Sequence, residues 1–110
     1  MPQHTDPSLY CIEVVTRQWE AMVAWYRSTL GLRTLIRMTD DRYAMLAAGD
    51  TRLAILGRDV EQSPPPQRHR LVFEVAELAT PPAVRHPEGF LELKLTDPDG
   101  NSVRLLCWDK

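Results

Sequence analysis

Three consecutive prolines, Pro64-Pro65-Pro66, constrain this chain more than any other feature. Proline has no backbone N–H and fixes φ at about −65°, so such a run cannot sit inside a helix or a strand ladder. Gln62 to Gln67 therefore read as a linker between two halves, or as an ordinary surface loop. Either way, no helix or strand runs through this segment.

The first half opens with a strand at about residues 9 to 16, Leu-Tyr-Cys-Ile-Glu-Val-Val-Thr, rich in β-branched and aromatic types. A helix follows, because Trp19, Met22, Val23, Tyr26 and Leu30 recur at the spacing of one helical face. Thr16 is the expected N-cap and Gly31 the expected C-terminal stop. Three short strands are expected at about 32 to 38, 42 to 48 and 51 to 57, with Asp40-Asp41 and Gly49-Asp50 supplying the turns.

The second half begins with a strand at about 69 to 75. Ala76 to Thr80 has room for one turn of helix before Pro81-Pro82 ends it. Strands at about 89 to 95 and 102 to 108 flank Asp97-Pro98-Asp99-Gly100, a strong turn signal. The halves form a weak internal repeat. Ile12-Glu13-Val14-Val15 echoes Val72-Phe73-Glu74-Val75, and Leu53-Ala54-Ile55-Leu56 echoes Val103-Arg104-Leu105-Leu106. Cys11 to Ala54 is 43 positions and Arg70 to Arg104 is 34, which matches a second crossover helix cut to about one turn. Each βα pair implies a crossover to a neighbouring strand of the same sheet.

Composition excludes several classes of partner. A formal charge of −2, with the densest basic patch only Arg68-His69-Arg70, offers no phosphate-tracking stripe, so no nucleic acid is expected. No apolar run reaches the roughly 18 residues that a membrane span needs, and no membrane partner is expected. Met1 to Ser8 is polar and reads against a signal peptide. Cys11 and Cys107 fall on strands where they point to opposite faces, so two free thiols and a reducing, cytoplasmic setting are expected. The length of 110 residues suits one domain with one modest core.

Three segments carry a family resemblance. Trp25-Tyr26-Arg27-Ser28-Thr29-Leu30-Gly31-Leu32 is similar to the segment that closes the first helix in the glyoxalase/bleomycin-resistance (vicinal oxygen chelate) family. His69-Arg70-Leu71-Val72-Phe73-Glu74-Val75 resembles that family's fifth strand, and Asp97-Pro98-Asp99-Gly100-Asn101 its turn before the last strand. The resemblance implies an α+β fold: two βαβββ units forming a cupped mixed sheet around a cleft, the second with its helix shortened. Unit one is expected at about 9 to 57, the linker at about 58 to 68 and unit two at about 69 to 108.

The resemblance also implies where a divalent metal would be held, on the first and fourth strands of each unit, to polarise substrate oxygens. Those positions fall on Cys11, Ala54, Arg70 and Arg104. Ala54 has no donor atom, and guanidinium groups are cationic with no lone pair to offer. A one-residue slip would bring His69 in place of Arg70 but would turn the rest of that strand to the wrong face. No metal and no cofactor are expected.

Strand alternation then assigns faces. Ile12 and Val14 are expected under the helix, with Cys11, Glu13 and Val15 in the cleft. Leu71, Phe73 and Val75 are expected in the core, with Arg70, Val72 and Glu74 in the cleft. Val103, Leu105 and Cys107 are expected in the core, with Ser102, Arg104 and Leu106 in the cleft. The expected ligand-binding set is Cys11, Glu13, Arg70, Glu74 and Arg104. Two readings stay open: the acids and arginines pair with one another, or a guanidinium fork grips an anionic or amphipathic small molecule. Cys11 as nucleophile and His69 as base are weaker alternatives to a small packed thiol and an exposed polar residue. Tyr43 and Trp108 either pack or line the cleft mouth. No catalytic residue is assigned.

The function expected is small-molecule binding without the family's metal. The alternatives are a lyase, isomerase or dioxygenase, a drug-sequestering resistance protein, and a scaffold whose remaining role is dimerisation. A homodimer is expected, as two-unit chains of this family commonly pair.

Overall fold

The amphipathic stripe of the first half forms α1 (Trp19–Ser28), and its apolar residues Trp19, Met22, Val23 and Tyr26 are all buried. The computed structural model describes residues 7–59, 67 and 69–109. Helix α1 follows β1 (Ile12–Thr16) and precedes β2 (Arg33–Met38), β3 (Tyr43–Ala48) and β4 (Thr51–Gly57). The strand order is β1-β4-β3-β2, with β1 parallel to β4 and the other pairs antiparallel. The parallel pair is what obliges the chain to cross over, here through a helix.

Helix α1 packs over β3 and β4, covering Ala44, Leu46, Leu53 and Ile55, which are at most 2% exposed. The Trp19 indole N–H donates to the Ile55 carbonyl at 2.9 Å, pinning the first turn of the helix to the sheet. Two expectations need correction here. Gln18 is the N-cap, without a side-chain cap; Thr16 Oγ1 instead accepts the Gln18 N–H at 2.9 Å and shapes the approach to the helix. Ile12 is exposed and not under the helix, because α1 covers β3 and β4 and leaves the edge strand β1 uncovered. Gly31 does end the helix segment, at φ +72°, with the Leu32 N–H reaching back to the Tyr26 carbonyl.

The second unit contains β5 (Leu71–Glu74), β6 (Val84–His86), β7 (Phe90–Thr96) and β8 (Ser102–Trp108). Its order, β5-β8-β7-β6, repeats that of the first unit, with β5 parallel to β8. The crossover shrinks to a single turn, closed by the Ala83 N–H donating to the Ala79 carbonyl at 3.0 Å. It sits slightly later than Ala76 to Thr80, where the helical turn was expected. Strand β6, which the sequence did not signal, spans three residues and exists by pairing with Phe90, Leu91 and Glu92. The register also corrects the repeat by one residue. Ile12 pairs with Leu53 as Leu71 pairs with Val103, so Ile12 corresponds to Leu71 and not Val72.

The turn between β7 and β8 is held by Asp97, which is 4% exposed. Its carboxylate accepts the N–H groups of Asp99 and Asn101 and the Asn101 side-chain amide, at 2.9 to 3.0 Å. Gly100 closes the turn at φ +85°. One buried cluster of this unit joins Ala83, Leu91 and Cys107, with Val75, Leu78 and Leu93 partly buried against it, and Val103 on β8 is fully buried as well. Among the described residues this unit has no helix, and its crossover turn contributes Ala83 to that cluster. Of the expected linker, Arg58, Asp59 and Gln67 are described; Pro64-Pro65-Pro66 lie outside the described residues. No helix among the described residues is long and apolar enough to cross a membrane.

Gly57, at the end of β4, lies where the helix start meets the sheet. A Cβ there would stand 2.8 Å from Arg42 Cβ and 2.9 Å from Trp19 Cβ. Trp19 cannot yield without straining its hydrogen bond to Ile55. Gly57→Ala is therefore expected to destabilise the protein by about 1–3 kcal/mol, read as a lower urea midpoint with an unchanged slope.

Candidate functional site

The hairpin β7–β8 builds a charged cluster on one face of the second sheet. Its register sets Lys94 directly opposite Arg104, and Glu92 opposite Leu106. Side chains alternate across a strand, so Glu92, Lys94, Arg104 and Leu106 share a face. Two cations placed opposite each other repel. Glu92, one step along the same face, relieves both. Its side chain is 7% exposed. Arg104 Nη2 donates to Glu92 Oε2, Lys94 Nζ lies 3.9 Å from Oε1, and His86 Nε2 lies 3.7 Å from Oε2. A buried carboxylate is costly unless paired, and here it faces three groups able to carry positive charge. Arg104 Nε is buried and has no hydrogen-bond partner among the described residues.

The same face continues into aromatic side chains. In register, His86 pairs with Phe90 and Phe90 with Trp108. The His86 and Phe90 rings stack at 4.5 Å and 18°, and Phe90 meets Trp108 edge-on at 5.4 Å. Beside them a groove of about 470 Å³ is lined by Pro82, Val84, His86, Glu92, Leu93 and Lys94.

In the first unit, Glu13 pairs with Ala54 and Ala54 with Met45, on the face opposite the helix-covered residues Leu53 and Ile55. Cys11, half-buried, precedes β1. The Tyr43 phenol pKa is raised above its ordinary value, first by burial and then by the proximity of Cys11, Glu13 and Tyr10. These four side chains therefore form one neighbourhood. The Arg52 guanidinium lies over the Tyr10 ring at 4.5 Å.

The expected site residues divide between the units. Cys11 and Glu13 belong to the first neighbourhood. Arg104 belongs to the Glu92 cluster. Arg70 immediately precedes β5, is exposed, and makes no ion pair among the described residues; the same holds for Glu74 within β5. The acid that Arg104 takes is thus neither Glu13 nor Glu74. Glu92 was missed, together with His86 and Lys94. A signal for Glu92 and Lys94 was present: with Thr96 and Ser102 paired across the Asp97 turn, counting back puts Lys94 opposite Arg104 and Glu92 diagonal to it.

At one of the positions where the resemblance implies a metal ligand, Ala54 is fully buried and offers a methyl group. Its neighbours Leu53 and Ile55 supply no donor either. Among the described residues, no group of three or more His, Cys, Asp or Glu side chains is placed to hold a metal ion.

The model of the Glyoxalase/Bleomycin resistance protein/Dioxygenase superfamily matches residues 8–81. The chain belongs to that superfamily. Solved structures similar to this superfamily member include a glyoxalase/dioxygenase from Nostoc punctiforme, with TM-score 0.73, 15% identity, and coverage of 100% of this chain and 97% of that one. A protein of unknown function from Agrobacterium tumefaciens gives TM-score 0.75 at 17% identity, covering 96% of this chain and 97% of that one. A lactoylglutathione lyase from the same organism gives 0.68 at 17%, covering 94% and 96%. These likenesses establish the fold. No curated protein matches the sequence.

Two outcomes test the site geometry. Glu92→Ala leaves Arg104 and Lys94 without their acid and is expected to cost about 2–4 kcal/mol of stability; Glu92→Leu combined with Arg104→Leu is expected to recover much of that loss in urea denaturation. In a pH titration of the tyrosine resonances, the Tyr43 phenol is expected to ionise above the ordinary value of about 10. Glu13→Gln is expected to move it down while leaving it raised, since burial is the larger cause.

Proposed function

We propose that this superfamily member is a small-molecule-binding protein that works without a divalent metal or other cofactor and takes an anionic ligand on the sheet of its second unit. The observation that carries the reading is Arg104. It occupies a position where the family resemblance implies a metal ligand, yet its guanidinium is bonded to the buried Glu92. A divalent ion there would face a fixed positive charge and no lone pair. Ala54 supports the same conclusion, because its methyl group offers no donor at the corresponding position of the first unit. The residues present do not fit a family-type metal site, which weighs against a metal-dependent lyase, isomerase or dioxygenase.

The sign of the ligand follows from charge. The Glu92 carboxylate stands against Arg104, Lys94 and His86; Arg70 adds an exposed guanidinium and Glu74 an exposed carboxylate, neither in an ion pair among the described residues. Three fixed cations, Arg70, Lys94 and Arg104, against two acids, Glu74 and Glu92, leave the excess positive. A groove for sequestering a cationic drug would need the reverse.

The reading extends to one domain of two units acting as a homodimer in a reducing, cytoplasmic setting. Two free thiols support the compartment. The edge strand β2, with exposed Leu35, Ile36 and Met38, supports self-association. Sedimentation at tens of micromolar is expected to give the dimer mass, and a monomer alone would refute that part.

Elemental analysis of the dialysed protein is expected to find no stoichiometric zinc, nickel, iron or manganese. A panel of small carboxylates and phosphates is expected to include ligands that raise the melting temperature. At a hundred times Kd the stabilisation is about 2.7 kcal/mol, several degrees for a domain of this size. A stoichiometric metal, or a panel without any shift, would overturn the reading.

A further inference from the structure

We propose that the groove beside β6 and β7 takes a small planar aromatic carboxylic acid, its carboxylate on Lys94 and its ring against His86. This rests on the anion-binding reading above and names the ligand class.

Charge selects the acid. The Glu92 carboxylate already faces Arg104, Lys94 and His86. An incoming ammonium group would meet cations whose counter-charge is engaged, and would be repelled. An incoming carboxylate meets the Lys94 ammonium, whose side chain is 69% exposed and free to turn toward it.

Shape places the ring. Strand β6 pairs only with Phe90, Leu91 and Glu92, so β7 runs on past its end. The groove opens beside that step, where Pro82, Val84 and Leu93 give apolar walls and His86, Glu92 and Lys94 give polar ones. Its volume of about 470 Å³ is within the usual range for small-molecule pockets.

Aromaticity follows from the column behind the groove. Phe90 covers one face of the His86 imidazole at 4.5 Å and 18°, and Trp108 backs Phe90 at 5.4 Å. His86 therefore presents to the groove the surface that Phe90 leaves uncovered. A planar ring extends this column by offset stacking, which a saturated ring of the same size cannot do.

The test compares benzoate, cyclohexanecarboxylate, benzylamine and inorganic phosphate by titration calorimetry with the intact protein. Benzoate is expected to bind at least about tenfold more tightly than cyclohexanecarboxylate, and benzylamine not to bind. Lys94→Gln is expected to weaken both acids about tenfold or more. His86→Ala is expected to remove the preference for benzoate while keeping binding of both acids, with circular dichroism and melting confirming that each variant is folded. Equal affinity for the two acids, or binding of phosphate alone, overturns the aromatic assignment and leaves the anion site standing. Binding of benzylamine as tight as benzoate overturns the sign. Silence from all three anions removes the anion reading itself, and this inference with it.

Discussion

Each unit of this protein is closed by one interaction, the parallel pairing of its first strand with its last. Strand β1 lies on β4 and β5 on β8, and in both the intervening strands return as an antiparallel meander. A parallel pair cannot be joined by a tight turn, so the chain must cross from one end of the sheet to the other. What fills that crossover decides the quality of the core beneath it. In the first unit it is α1, and the strand residues it covers are almost inaccessible to solvent. In the second it is a single turn, whose Ala83 is buried with Leu91 and Cys107 of the sheet. One topology thus sets a helix over one sheet and a single turn in the same crossover of the other, and the charged cluster lies on the second.

The same pairing fixes which side chains correspond between units. Ala54 stands opposite Glu13 on β4 and β1, and Arg104 stands opposite Val72 on β8 and β5. At equivalent places in the repeat, one unit has a buried methyl and the other a guanidinium. Neither side chain can ligate a metal, and for different reasons: the methyl has no donor, and the guanidinium is cationic with no lone pair to offer. Arg104 then needs an acid. The β7–β8 hairpin supplies Glu92 from the same face, so the charge is accommodated inside one unit by a register that the Asp97 turn enforces.

Much of the fold was legible because strong local signals agree with the topology. The helical spacing of Trp19, Met22, Val23 and Tyr26 marked α1, and the Asp97–Gly100 turn marked the β7–β8 hairpin with β8 at its observed limits. Strand β6 was not legible, since three residues have too little alternation to stand out and owe their conformation to pairing with β7. The site was legible in part. Strand alternation turned Arg104 to the right face, but its partner was sought among acids of the outer strands. Glu92 lies on β7, and a diagonal across an antiparallel hairpin becomes visible only when register is counted residue by residue.

That diagonal also explains why a buried acid can serve a binding surface of opposite sign. Lys94 and Arg104 face each other in register and would repel if left alone. Glu92 holds Arg104 by a direct bond while Lys94 lies at 3.9 Å with most of its side chain in solvent. The carboxylate therefore fixes one cation and only partly neutralises the other. Burial of Glu92 makes the Arg104 contact hard to exchange, because losing Arg104 would leave a carboxylate away from water without its partner. Exposure leaves the Lys94 contact soft, since water already screens it. The anion proposed above would compete with Glu92 for Lys94 at little cost and leave the Arg104 bond undisturbed. The Glu92–Arg104 pair and the exposed ammonium would thus have separate roles within a single cluster, one maintaining the sheet face and the other meeting the proposed ligand.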